Sequence, residues 1–316
     1  MTILRKIMNS TLNITYLTLE GHLEKYRYVY FLICLIVLML IIFCNVVVIS
    51  VIYTNKPLHE PMYIFIAALL FNDLFVTAVF YPKILTDFLS EKQIISQGGC
   101  LVQTFCIFTC SGSEFALLSA MAYDRYVSIC KPLQYATLVK MSTVKKLLFF
   151  CWFVPSCEMG ISIILSYRPL CKFKLNRIYC NSSIAKLTCG DLTVVNLYGM
   201  IALPIVVCPP VMFVIYSYIR ILHVCLKNSK EFRRKALQTC FPHLFIFTTF
   251  SINICFEVIN TRFEGNVPHL FAMIMSVQNV VICPLLNPII YGLKLQEISK
   301  RIKRMFWKRN THIFVN

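Results

Sequence analysis

Two carboxylates stand where an apolar chain tolerates them least. Asp73 lies in "FNDLF" and Glu114 in "SGSEF", each inside a long apolar run. An acid at the centre of a membrane costs about 2.5 to 3.5 kcal/mol or more unless it faces inward and finds a partner. The two acids and Asn45 can share a layer. Asn45 precedes Lys56, Asp73 follows Met62 and Glu114 precedes Arg125, each by eleven residues. At 1.5 Å per helical residue, all three lie roughly 16 Å from one boundary. Asn287 comes near the same depth. Side by side, the acids call for a shared proton, a sodium ion between them, or hydrogen bonds alone. A second charged pair, Asp124 and Arg125, stands where the third apolar run stops, in "MAYDRYVSIC". Placed at a helix end, Arg125 can pair with Asp124 on one side and face a neighbouring span or an intracellular partner on the other.

These groups need a scaffold in lipid. The 316 residues are 58% hydrophobic and only 14% charged, which is not a soluble composition. Apolar runs of about 20 residues are needed to cross the hydrocarbon. Seven occur: Val29 to Tyr53, Met62 to Pro82, Cys100 to Ala122, Leu147 to Tyr167, Leu192 to Ile219, Ala236 to Ile259 and Val267 to Leu293. Their backbone groups must be satisfied within each segment, so they are expected to be helices. The predicted fold is an all-α membrane protein, a seven-transmembrane helix bundle. Residues 1–28 form an outer terminus, 29–293 the bundle and 294–316 a tail. In the tail, Leu295, Ile298, Ile302, Met305 and Phe306 recur among Lys and Arg at the spacing of a short amphipathic helix on an anionic leaflet. The amino terminus lacks the apolar core of a cleaved signal peptide, so the first span is expected to serve as signal anchor.

A net charge of +17 invites a nucleic-acid reading, but placement argues against one. With the amino terminus outside, 19 of the 31 Lys and Arg fall on the cytoplasmic side, as the positive-inside tendency requires. The expected location is therefore a cell membrane crossed several times, with membrane lipid as a partner and nucleic acid excluded. Asn9, Asn13 and Asn181 head glycan acceptor triplets on the outer side. Of 16 Cys, Cys100, Cys171, Cys180 and Cys189 face outward, which allows two disulfides in any of three pairings. No zinc-protease, serine-hydrolase or phosphate-loop motif occurs, and the six His are scattered, so no enzyme is expected. Buried acids also suit a proton-coupled transporter. The spans, however, show no inverted half-repeat.

Five stretches carry a resemblance: "PMYIFIAALLFNDL" (61–74), "MAYDRYVSICKPLQY" (121–135), "SYIRI" (217–221), "KALQTCFPHL" (235–244) and "PLLNPIIYGLK" (284–294). The chain resembles the rhodopsin-like (class A) G-protein-coupled receptors, and within them the odorant receptors, nearer to those of aquatic vertebrates. The resemblance implies the disulfides Cys100–Cys180 and Cys171–Cys189. It implies that Asp124, Arg125, Tyr126, Tyr218, His243, Asn287, Pro288 and Tyr291 serve switching and coupling to a heterotrimeric G protein that raises cyclic AMP. The alternative within the class is a receptor for another small ligand. Span six departs from the pattern, because Phe250, Ser251 and Ile252 stand where many mammalian odorant receptors have an aromatic-Tyr-Gly stretch.

A ligand cavity is expected outward of the polar layer. Walking by turns from Glu114 reaches Ser111, Gly112, Phe108, Ile107 and Thr104. The resemblance adds Ala202, Val206, Ser251, Ile254, Cys255, Val258, Val277 and Val280. This mostly apolar set suits a small, sparingly soluble odorant. Amine receptors of the class carry an Asp near Ile107, and this chain has none there. Glu158 is a further acid in span four, for a polar ligand or a neighbouring helix. No cofactor is expected beyond the sodium ion that Asp73 and Glu114 could hold.

Overall fold

The computed structural model describes residues 15–19, 26–175, 177–262 and 269–313. Asn9 and Asn13 lie outside these residues, as do the side chains of Val258 and Phe306. Seven long helices follow in chain order: α1 (Arg27–Thr54), α2 (Pro61–Leu89), α3 (Gln97–Cys130), α4 (Met141–Ser166), α5 (Thr193–Lys227), α6 (Lys230–Arg262) and α7 (His269–Lys294). An eighth, α8 (Gln296–Ile313), runs along the end of the bundle. Among the described residues, six helices are long and apolar enough to cross a bilayer, and Val280–Leu293 is a shorter apolar stretch of the seventh. The protein is a multi-pass membrane protein with a seven-helix bundle.

Most helices outrun the apolar stretches that announce them. α3 begins at Gln97, capped by the Ser96 side chain, which accepts from Gly99 N, and it continues past Ala122 to Cys130. α5 and α6 likewise extend into basic sequence, to Lys227 and from Lys230. Hydropathy marks the part of a helix that lies in hydrocarbon, while the hydrogen-bonded coil carries on into the polar boundary.

α3 is the axis of the bundle and packs on α2, α4, α5 and α6, while α7 closes against α1, α2 and α6. Close approach is sequence-encoded at two glycines. A Cβ on Gly112 would lie 2.8 Å from Pro155 Cβ of α4, and one on Gly292 3.1 Å from Val48 of α1. Gly112 is therefore a helix contact and not part of the ligand lining expected of it. Leu295 and Ile298 are buried and Ile302 packs on the same cluster, so the apolar stripe of α8 rests on the bundle. Arg301 fixes it further by donating to Asn55 Oδ1 at 2.8 Å.

The other end carries a lid. β1 (Tyr16–Leu19) pairs antiparallel with β2 (Ile94–Ser96) and parallel with β3 (Lys174–Leu175). Strand alternation buries Leu17 and Leu19 against Cys100, Leu101, Leu175, Ile184 and Leu187. The disulfide Cys100–Cys180 ties the lid to the start of α3, and Cys171–Cys189 closes a loop within it. Three short strands cannot hold together alone, so the cross-link to α3 positions the lid. Cys100→Ser and Cys180→Ser should each lower cell-surface biotinylation strongly but to a level still above background. The double mutant should be no worse than either single, since both remove one bond; an additive loss would contradict this coupling.

Candidate functional site

The buried acids meet at one amide. Asn287 Nδ2 donates to Asp73 Oδ2 at 3.0 Å and to Glu114 Oε1 at 3.2 Å. The three side chains come from α7, α2 and α3, and all are buried. An amide nitrogen has two hydrogens, so this one group spends its whole donor capacity tying the acids together. Asp73 Oδ1 and Asn287 Oδ1 remain buried without a hydrogen-bond partner. Around this layer, Asn72 donates to Cys110 O at 3.0 Å and accepts from Trp152 Nε1 at 3.3 Å, which links α2, α3 and α4.

Asn45 does not join the acids, contrary to the depth argument. Its Nδ2 donates to Ile41 O at 2.8 Å and to Pro284 O at 2.9 Å. The reason is covalent. Pro288 has no N–H, so the carbonyl four residues earlier, that of Pro284, loses its helical donor. Asn45 of α1 supplies the missing hydrogen and locks α1 to α7.

Towards α8, His243 of α6 bridges two other helices. Its Nε2 lies 2.8 Å from Leu118 O on α3 and its Nδ1 2.6 Å from Tyr218 OH on α5. A carbonyl cannot donate, so Nε2 carries the hydrogen and, in the neutral ring, Nδ1 accepts from the tyrosine hydroxyl. Tyr291 of α7 is buried, and Pro288 is buried with it. Asp124 is buried too, but its expected partner is not the one found. Tyr135 OH donates to Asp124 Oδ1 at 2.8 Å, and no ion pair joins Asp124 to Arg125 among the described residues. Tyr135 sits in a short helical turn (Tyr135–Leu138) that folds back on α3, which brings its hydroxyl to the acid first. Arg125 and Tyr126 stay partly exposed, and the Tyr126 ring lies 6.0 Å from that of Tyr216.

The lid end gathers part of the expected ligand set. Ile107 and Val280 share an apolar cluster with Phe80, Tyr81 and the lid residues Ile178 and Tyr179, and Val277 packs against it. Thr104 is buried, with its hydroxyl donated to Cys100 O, and Ser111 donates to Ile107 O. Phe108, Ala202 and Val206 are half-buried. Ser251 donates back to Phe247 O, and Ile254 packs on the inner core. Cys255 is exposed on the outer face of α6 and so does not line the interior. Glu158 of α4 meets α5 through its backbone carbonyl, which accepts from Tyr198 OH at 3.0 Å.

The inward polar face of α6 is instead Asn253 and Glu257, one turn apart and both buried. Glu257 Oε1 accepts from Asn181 Nδ2 at 3.0 Å, and Asn253 Nδ2 is buried without a hydrogen-bond partner. Gln103 Oε1 accepts from the Cys180 backbone N–H at 3.0 Å, which seats the lid on α3. Asn253, Glu257 and Gln103 are not among the site residues expected from the sequence, although Phe250, Asn253 and Glu257 share a helical face by spacing. Asn181 was assigned to a glycan. Its side chain is fully buried, donates to Glu257 and accepts from Ser183 N, so no sugar fits there.

A seven-helix membrane bundle with a disulfide-pinned lid, a central carboxylate layer and a tyrosine–histidine bridge at the far end has the build of a rhodopsin-like receptor. The olfactory receptor family model matches residues 33–309. Human olfactory receptor 51E1 is 32% identical over 265 residues, 83% of each chain. Human olfactory receptor 6B1 is 33% identical over 285 residues, 87% of this chain and 88% of that receptor. Human olfactory receptor 10A5 is 33% identical over 269 residues, 84% of each. The chain belongs to the olfactory receptor family of G-protein-coupled receptors, and it is a receptor and not an enzyme.

If Asn181 is a lid-to-α6 contact, Asn181→Gln should leave the electrophoretic shift on glycosidase treatment identical to wild type. A smaller shift would show a sugar at that position.

Proposed function

We propose that a small odorant enters from the lid end and lodges between α3, α5, α6 and α7, against Ile107, Phe108, Val206, Val277 and Val280. In this orientation the lid faces outward and α8 lies on the cytoplasmic leaflet. The lining is largely apolar, so burial of the ligand's hydrocarbon surface, at about 25 cal/mol per Å², supplies most of the affinity. Asn253 and Glu257 supply the polar contacts that choose among ligands of similar size.

The observation that supports this reading is the order of groups along α3. Cys100 holds the lid, Ile107 packs with Val280 and the lid residues Ile178 and Tyr179, Glu114 meets Asn287, Leu118 O accepts from His243, and Arg125 stands at the end. A ligand wedged at Ile107 bears on a helix whose next contacts are the polar layer and then the α5–α6 bridge. The resting state keeps both engaged, and a ligand that fits better when they are released shifts the population toward release. Arg125, only partly buried and not paired with Asp124, is then presented to the G protein.

Asp73 and Glu114 would hold a sodium ion in the resting state. The fit rests on chemistry present in the layer: two carboxylates and the unpartnered oxygens Asp73 Oδ1 and Asn287 Oδ1, all hard donors of the kind small cations take. A cation there would lower the repulsion between the acids and strengthen the grip of α2 and α3 on α7.

Glu114→Gln keeps the shape and removes one charge. At fixed ionic strength, with choline replacing sodium, wild-type basal cyclic AMP should fall as sodium rises, by about twofold or more. In Glu114→Gln that fall should disappear while odorant responses persist. Equal sodium responses in the two would remove the ion from the mechanism and leave a hydrogen-bonded layer.

A further inference from the structure

A cleft of about 700 Å³ opens beside the α8 end of α6, away from the bundle interior. Its lining includes Lys230, Arg233, Arg234, Leu237 and Phe241 of α6 together with Gln296, the first residue of α8. Among the described residues, no carboxylate lines it. The residues repeat every three or four positions, so they form one stripe of α6. The stripe about a quarter turn away, Ala236, Cys240, His243 and Phe247, is buried in the bundle. The cleft stripe therefore faces lipid at its apolar part and the headgroup region at its basic part. Phe241 is 68% exposed and Leu237 44%, and Leu244 and Phe245 continue the exposed apolar row toward the membrane middle.

We propose that this cleft is a binding site for an anionic membrane phospholipid whose headgroup carries more than one phosphate. Three cations of the cleft lie within about one helical turn, with Glu231 of the same turn outside the lining, and match a multiply charged anion better than a single phosphate. The apolar row above them matches an acyl chain, which a soluble phosphate or an acidic protein segment lacks. A lipid seated there would touch α6 on one side and the α7–α8 junction on the other. The leaflet involved rests on the orientation proposed above, but binding itself can be measured without it.

The test uses the full-length receptor purified in detergent, with bound lipid counted by native mass spectrometry. The probes are a phosphatidylinositol bisphosphate, phosphatidylserine and soluble inositol trisphosphate at equal concentration. The bisphosphate lipid should be retained at least tenfold better than either of the others. The combined variant Lys230→Gln, Arg233→Gln, Arg234→Gln should weaken its retention at least tenfold. An equal neutralisation on α8, Lys300→Gln, Lys303→Gln, Arg304→Gln, should change it less than twofold. Phe241→Ser, which keeps every charge, should weaken it about threefold and gives an independent reading if the triple variant folds poorly. Equal losses in the two charge sets would mean diffuse surface attraction and overturn the site. Equal retention of inositol trisphosphate would replace the lipid by a soluble anion. Unchanged lipid retention in the α6 variant, with nucleotide exchange lost, would assign the three cations to the G protein instead.

Discussion

One side-chain amide, that of Asn287, holds two carboxylates in the buried interior of the bundle. Each acid alone would be an expensive group in hydrocarbon, and two acids close together would repel. The amide offsets both penalties at once because it donates a hydrogen to each. The acids ride on α2 and α3 and the amide on α7, so the same contact that makes the layer tolerable fixes three helices relative to one another. The remainder of the bundle can be understood as what keeps that contact in register.

Proline placement is central to that register. Pro288 follows Asn287 and deprives Pro284 O of its helical donor, and Asn45 makes good the loss from α1. α7 is thus pinned to α1 beside the residue that must reach both acids. Gly292 lets α1 approach below this point, and α8 turns back over the end with Leu295 and Ile298 buried. On the other side of α3, His243 and Tyr218 couple α6 and α5 to the Leu118 carbonyl, one turn beyond Glu114. Lid-end apolar cluster, polar layer and tyrosine–histidine bridge are therefore successive levels of a single helix, and a change at one level has a short mechanical path to the next.

Much of this was legible in the residue order. Counting helical rise from the charged boundary places Asp73 and Glu114 at one depth, with Asn287 near it, since depth in a straight helix depends only on residue number. The same count misassigned Asn45, because its partner is a carbonyl whose vacancy arises from a proline on another helix. A glycan triplet at Asn181 states nothing about burial, and only the folded lid turns that amide toward Glu257. Gly112 and Cys255 were placed in the cavity by pattern. One proved to be a contact with Pro155, and the other faces outward. The β1 strand was missed within "YLTL", where two alternating leucines are too short a signal without the partner strands that bury them. Asn253 and Glu257 were legible in principle, as polar residues on the helical face of Phe250. The altered span-six stretch drew attention to Ser251 and Ile252 instead.

The central claim, that Asn287 and Glu114 act as one unit in the bundle, is tested most directly by a double-mutant cycle on thermal stability. Asn287→Ala, Glu114→Ala and the double variant would be compared with wild type in one detergent at fixed sodium. The account predicts strong non-additivity, with the double variant no less stable than Asn287→Ala alone, since removing Glu114 relieves the acid that the lost amide leaves unsupported. Simple addition of the two losses would show that the amide and the carboxylate contribute independently, and the shared contact would not be what holds the helices.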